Sequence, residues 1–137
     1  MRDMNLQSYR SRDMATGHRI NTDLYNSAMS ASNIINDPGS AGTIKVDISG
    51  GICHVDSDNG VARTLQSPLT IPEGVEVTLV TAGTGGTLDV AYDGKVGASD
   101  TTSIQMDTAT DWIRLIVLEV NAVKDWYTLA SNGAVTA

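Results

Sequence analysis

The chain contains one cysteine in 137 residues, and only nine lysines and arginines against sixteen aspartates and glutamates. A single cysteine excludes an intramolecular disulfide framework, so packing or association has to hold the fold together. The net charge of −7 argues against sequence-independent binding of nucleic acid, which needs clustered basic residues to displace counterions. Composition therefore predicts a folded acidic protein that has no disulfide and no nucleic-acid partner.

Long hydrophobic runs are also missing. The strongest apolar run, "WIRLIVLEV", contains Arg114 and Glu119 and is far shorter than the roughly 20 residues that a membrane-crossing helix needs. The first residues, "MRDMNLQSYRSRDM", interrupt every short apolar run with a charge, so they lack the apolar region of a secretory signal. We therefore expect neither a membrane span nor export.

The first third of the chain differs in character from the rest. Residues 1–20 show neither alternation nor a helical stripe, which predicts an extended arm. The following segment places apolar residues at helical spacing, which predicts a short helix over residues 22–35, ended by Asp37-Pro38-Gly39. We accordingly expect an N-terminal region over residues 1–40 and a β-domain over residues 41–137.

The β-domain is predicted from short β-branched runs separated by glycine, proline, asparagine and aspartate. The runs "TIKVDI", "VEVTLVT" and "TLDVAY" alternate apolar and polar residues, as strands with one buried face do. Turn signals recur roughly every 8 to 12 residues, which is typical of sandwiches and barrels. The predicted fold is all-β: a compact β-sandwich or small barrel of about seven or eight short antiparallel strands.

The strand at residues 112–120 is apolar on both faces, with Arg114 as the only interruption on the second face. Loss of alternation means that such a strand is covered on both sides. It lies either in the middle of the domain core or against another subunit, and the sequence leaves both alternatives open. In the second case the residues expected at the subunit interface are Trp112, Ile116, Leu118, Val120 and Trp126.

The stretch "GICHVDSDNG" looks most like a chemical site, because it holds the only cysteine and one of two histidines. Cys53 and His54 are adjacent, so on a strand they point to opposite faces and do not join as zinc ligands or as nucleophile and base. The other histidine, His18, lies in the predicted arm. Cys53 is therefore expected to pack as a small hydrophobic residue.

The two aspartates of the same stretch suggest a calcium loop. Asp56 and Asp58 are followed by Asn59-Gly60, but one spacer residue is missing and no glutamate follows at the bidentate position. Asn59-Gly60 instead predicts a hairpin between "ICHV" and "VARTL". We therefore expect no metal and no cofactor.

Two further patterns could belong to an enzyme. The glycines of "GTGGTLD" lack the Gly-Lys-Ser/Thr ending of a phosphate-binding loop, which favours a turn. Four scattered aspartates could pair as acid and base in a glycosidase, but surface carboxylates are the simpler interpretation: Asp89, Asp93, Asp107 and Asp111. The sequence therefore predicts a protein that is not an enzyme.

The succession "LTIPEGVEVTLVTAG", "GGTLDVAYDGKVG" and "DWIRLIVLEV…WYTLASNG", within residues 64–133, resembles the decoration (cement) and head-fibre proteins of tailed bacteriophages. The resemblance implies a structural virion protein, commonly trimeric, that is made in the host cytoplasm and reinforces the expanded capsid. The partner would be the major capsid protein. The arm would attach there, and its tentative capsid-binding residues are Arg2, Arg10, Arg12 and Arg19.

An alternative function belongs to another class of protein. A carbohydrate- or receptor-binding β-module of a phage fibre or secreted enzyme would use exposed aromatic side chains as a stacking surface. The candidates for that surface are Trp126, Tyr127 and Tyr92, with Trp112 and Trp126 as a second pairing.

Overall fold

A computed structural model describes residues 33–96 and 99–137 and is all-β, which confirms the predicted fold class. Within these residues ten strands form one continuous mixed sheet. In chain order they are β1 Ile34–Ile35, β2 Gly42–Ile44, β3 Gly51–Asp56, β4 Ala62–Leu65, β5 Glu76–Ala82, β6 Leu88–Val96, β7 Ser99–Met106, β8 Trp112–Val120, β9 Val123–Asn132 and β10 Val135–Thr136. Short 3₁₀ turns at Ser57–Asn59 and Pro68–Thr70 are the helical elements of this part of the chain.

The sheet folds into two five-stranded layers. The first layer has the order β1-β3-β5-β8-β9, and the second has the order β2-β4-β6-β7-β10. The two meet where β9 lies parallel to the end of β6, with Trp126 beside Gly94. The ring of Tyr92 lies against the α-carbon of Gly94, so a side chain at that position would collide with it.

The chain winds between the layers through its first six strands. Strands β1, β3 and β5 are mutually parallel in the first layer, and β2, β4 and β6 are mutually parallel in the second. From β3 to β6, each strand therefore pairs in parallel with the strand two positions earlier in the chain. Of the nine strand pairings five are parallel, which departs from the antiparallel arrangement that we expected.

This winding overturns the hairpin predicted at Asn59-Gly60. Strands β3 and β4, on either side of Asn59-Gly60, do not pair with each other, nor do β5 and β6 around the "AGTGG" segment. Both connections instead carry the chain from one layer to the other. Strands β8 and β9 do form a hairpin: its two turn residues, Asn121 and Ala122, have φ of 53° and 65°, as a type I′ turn requires.

One hydrophobic core fills the space between the layers, and alternate residues of the long strands supply it. Strand β8 contributes Ile113, Leu115 and Val117, all fully buried, and β6 contributes Leu88 and Val90. The predicted inward faces of these strands are therefore confirmed. Because each buried aliphatic side chain contributes about 1.5–3 kcal/mol, this core accounts for a stable fold without disulfides or metals.

The β-domain begins earlier than residue 41. Strand β1 pairs with β3 at Ile52 and Cys53, so residues 34 and 35 belong to the sheet. Ile34 and Ile35 are extended, so the end of the helix predicted over residues 22–35 is wrong there; the rest of that helix and the arm lie outside the described residues.

Candidate functional site

The stretch "GICHVDSDNG", which was the best candidate for a chemical site, does not bring a nucleophile and a base together. Cys53 is fully buried in the core, and burial raises the pKa of its thiol to about 11, with the charge of Asp37 adding to the shift. His54, the next residue on β3, is exposed on the opposite face. The thiol therefore has neither a base beside it nor access to a substrate, as the alternation of the strand predicts.

The aspartates of this stretch cap turns. Asp56 accepts a hydrogen bond from the Asp58 backbone at 2.9 Å, and Asp58 accepts one from the Thr84 backbone at 2.8 Å. These bonds fasten the 3₁₀ turn to the glycine-rich crossover between β5 and β6. Within residues 33–96 and 99–137 no group of three or more histidine, cysteine, aspartate or glutamate side chains could hold a metal ion.

The aspartates considered as acid and base do not meet in one cleft. Asp111 accepts hydrogen bonds from the backbones of Asp107 at 3.2 Å and Thr108 at 3.0 Å, which closes the turn before β8. Asp89 and Asp93 lie exposed on the outside of β6. A depression of about 400 Å³ near this turn is lined by hydroxyl side chains and glycines, and Asp107 is its one ionisable group. That lining supplies no pair of carboxylates.

A buried ion pair, which the sequence reading missed, joins Asp37 to Arg63. The Arg63 side chain is fully buried and reaches both carboxylate oxygens of Asp37, at 2.7 Å from Nε and 3.0 Å from Nη2. Its remaining hydrogens go to the carbonyls of Asp56, Gly60 and Ala62 at 2.7–3.0 Å. The guanidinium is thus fully hydrogen-bonded, which a buried charge requires.

This ion pair fastens the beginning of the β-domain. Asp37 also accepts the backbone N–H of Asp56 at 2.9 Å and that of Gly39 at 3.1 Å. Hydrogen bonding from Arg63 is the main reason why the pKa of Asp37 falls to about 2. The alternation of β4 places Arg63 on the same inward face as Leu65. That pattern could have indicated a buried arginine, although it does not identify Asp37 as the partner. We interpret the pair as structural, since its groups are saturated by protein.

The aromatic side chains do not form the predicted stacking platform. Tyr92 is 4% exposed and its hydroxyl contacts Thr101 Oγ1 at 2.7 Å, while Trp126 is fully buried and donates from Nε1 to the Gln66 carbonyl at 2.9 Å. Only Tyr127 of the three is partly exposed. The prediction that Trp126 lies at a subunit interface is likewise wrong, because its side chain is fully buried in the core and cannot contact another subunit.

The remaining predicted interface residues share the outer side of the first layer, where they form what we call the β8 face. Trp112, Ile116 and Leu118 are partly exposed there, and Val120 is 48% exposed. Strand register places further apolar side chains directly opposite them on neighbouring strands: Val80, Val123 and Tyr127. Ile52 lies one strand further out on β3, opposite Thr78 of β5. The face therefore extends across four strands.

Near the middle of the β8 face polar side chains interrupt the apolar surface: Thr78 and an ion pair. Arg114 donates to Glu76 Oε1 at 2.8 Å, and the two side chains remain 52% and 32% exposed. Asp125 lies opposite Leu118 and adds a second acidic group. The tentative capsid-binding arginines, at positions 2, 10, 12 and 19, lie outside the described residues.

Comparison with known proteins gives no family: no family model matches the chain. No curated protein matches it either. Among the described residues no helix is long and apolar enough to cross a membrane.

Proposed function

We propose that this chain is a structural protein that decorates and stabilises a bacteriophage capsid. The β-domain forms an oligomer on the capsid surface, and the N-terminal arm attaches it to the major capsid protein. The observation that carries the proposal is the β8 face, because a group of neighbouring exposed apolar side chains on a folded domain marks a protein contact. The phage partner rests on the resemblance of residues 64–133 to decoration and head-fibre proteins.

The chemistry of the described residues supports a structural role. The thiol is buried and the aspartates cap turns. The buried ion pair of Asp37 and Arg63 is saturated by hydrogen bonds within the protein. The surface combines polar side chains on the outside of β6 with exposed apolar side chains on the outside of β8, which suits assembly.

The arm attaches by a different kind of contact. Residues 1–19 carry four arginines and two aspartates, whereas the rest of the chain carries a net charge of −9. Exposed ion pairs contribute only about 0–1 kcal/mol each, so affinity comes from many copies and from backbone pairing with a sheet edge of the capsid protein.

The test is binding to expanded heads of the tailed phage whose genome carries this gene. Full-length protein is expected to saturate the heads at a fixed stoichiometry, and deletion of residues 1–20 to weaken binding while the β-domain stays folded. A variant with its four arm arginines replaced by glutamine separates charge from backbone pairing. A protein that ignores the heads and binds glycans as a monomer would instead be the alternative carbohydrate-binding module.

Gene order offers an independent test. We expect the genes for the major capsid protein, the capsid protease and the portal protein to lie near this one. A position among genes for secreted hydrolases would contradict the capsid proposal.

A further inference from the structure

We infer that a second copy of this chain covers the β8 face. The inference rests on the proposed function and deepens it, because it names the partner of this surface. Four observations carry it: the contrast between the two layers, the charge of the domain, the composition of the face and its size.

The two layers differ on their outer sides. The second layer turns polar and charged side chains outward along its central strand β6, with Asp89, Asp93 and Lys95 at alternate positions. In the first layer the central strand β5 alternates as well, but β8 beside it turns Trp112, Ile116 and Leu118 outward. A strand with one wet face keeps its alternation, as β6 does, whereas β8 has lost it. The outer side of β8 is therefore the part of the sheet that is suited to being covered.

Charge permits a copy of the same chain as the occupant only through a surface of low charge. The described residues hold five basic and thirteen acidic side chains, a net charge of −8 with histidine neutral. Two such domains repel each other unless they meet through a surface of low charge. The β8 face is such a surface, since Arg114 there stands against Glu76 and Asp125.

The composition of the face makes it complementary to itself. In a contact between two copies, the apolar side chains of one face lie against those of the other. The Arg114 and Glu76 of each copy also lie near those of the other copy. Neither charge would then be buried without a partner, which is the main cost of covering charged groups.

The size of the face fits a weak contact. Its four strands β3, β5, β8 and β9 have six, seven, nine and ten residues, which at about 3.3 Å per residue and about 4.8 Å between strands give a surface of roughly 510 Å². Covering it on both copies buries about 1,000 Å², which is the least that a specific protein interface needs. The contact is therefore adequate for a concentration-dependent assembly, and crowding on a capsid would reinforce it.

The test is Leu118→Asp in the full-length chain, with Leu69→Asp as the matched control. Leu69 is 70% exposed on the Pro68–Thr70 turn, outside the β8 face. By sedimentation over a concentration series, the wild type and the Leu69 variant are expected to associate. The Leu118 variant is expected to sediment as a single chain, with association weakened about tenfold or more.

A second measurement keeps folding separate from association. Trp112 lies in the face and Trp126 in the core, so acrylamide quenching of Trp112 should fall as the wild type associates. In the Leu118 variant quenching should not depend on concentration, while the buried Cys53 stays protected from thiol reagents and shows that the domain is folded.

The outcomes distinguish this inference from the proposed function. A wild type that is a single chain at every concentration, or a folded Leu118 variant that associates as strongly as the control, overturns the inference. If that same protein still saturates phage heads, the capsid function stands without the β8 contact. An assembly that Leu118→Asp dissociates but that ignores heads supports the β8 contact and contradicts the capsid function.

Discussion

Replacing Asp37 by asparagine should cost the β-domain a measurable part of its stability. The fully buried Arg63 would lose the carboxylate with which it pairs, and the backbone N–H of Asp56 would lose an acceptor at 2.9 Å. Asparagine can still accept one hydrogen bond, but it carries no charge to balance the guanidinium. A buried charge left without its partner typically costs about 3–5 kcal/mol.

The pKa of Asp37 gives an independent magnitude. Its fall from 3.8 to about 2, caused mainly by the hydrogen bond from Arg63, corresponds to about 2 kcal/mol at neutral pH. We therefore expect Asp37→Asn to lower the free energy of unfolding by about 2–5 kcal/mol at pH 7. The exposed pair of Lys95 and Asp100, which lies outside the β8 face, serves as control, since Asp100→Asn should change that free energy by about 0–1 kcal/mol.

The dependence on pH follows from the direction of the shift. Because the folded pKa lies below the unfolded one, the unfolded chain takes up this proton first as the pH falls. The contribution of Asp37 is complete well above 3.8 and is lost as the pH falls toward about 2. The stability difference between wild type and Asp37→Asn should therefore shrink over that interval.

Urea denaturation at a series of pH values measures both quantities. The slope of the transition should stay the same in the two proteins, so that the change in midpoint reports stability. Two results would refute the reasoning: an Asp37→Asn variant as stable as wild type at pH 7, or a stability difference that does not change between pH 5 and pH 2.

Three further predictions concern single residues. Cys53, whose pKa is raised to about 11 by burial, should not react with thiol reagents at neutral pH until the protein is denatured, and fast labelling of native protein would contradict its placement. Ala122→Gly should raise the free energy of unfolding by about 0.5–1 kcal/mol, because residue 122 has a φ of 65° that favours glycine; an unchanged or lower urea midpoint would count against that turn. Trp126→Phe should lower the free energy of unfolding by about 1–3 kcal/mol, because the Gln66 carbonyl loses its donor, and a variant as stable as wild type would show that the bond contributes nothing.

Much of the strand content could be predicted from local pattern. The strand at residues 112–120 has the predicted bounds, and the alternating run "VEVTLVT" becomes β5. In both, side chains two residues apart share one face, which is a property of the strand alone. The pairing of β8 with β9 across a two-residue turn likewise involves neighbouring segments of the chain.

The pairing of strands could not be predicted in the same way. Asn59-Gly60 correctly marks the end of a strand, but the chain continues into the other layer, and Gly60 adopts φ 98° and ψ 151° instead of the left-handed helical conformation. The ion pair of Asp37 and Arg63 joins residues 26 positions apart. It exists because the winding of the chain between the layers brings β4 beside the loop after β1. No short stretch of the sequence indicates that proximity.

The predicted interface shows the same division. Trp112, Ile116 and Leu118 lie together on the β8 face because strand periodicity placed them there. Trp126 belongs to the other face of its strand, and its burial depends on β9 meeting β6 at the junction of the layers. Hydrophobicity alone did not separate these two environments.

Three of the four outermost strands of the two layers are short, and the fourth, β9, pairs with β6 at Trp126 and Tyr127. Within the described residues β1 and β10 have two residues each and β2 has three. Such stubs offer too few free backbone groups to template a further strand, whereas long exposed edges invite fibril growth. Such molecules can be packed at high density without pairing strand to strand at these edges. Contacts between them would then form through the faces of the sheet and through the N-terminal arm.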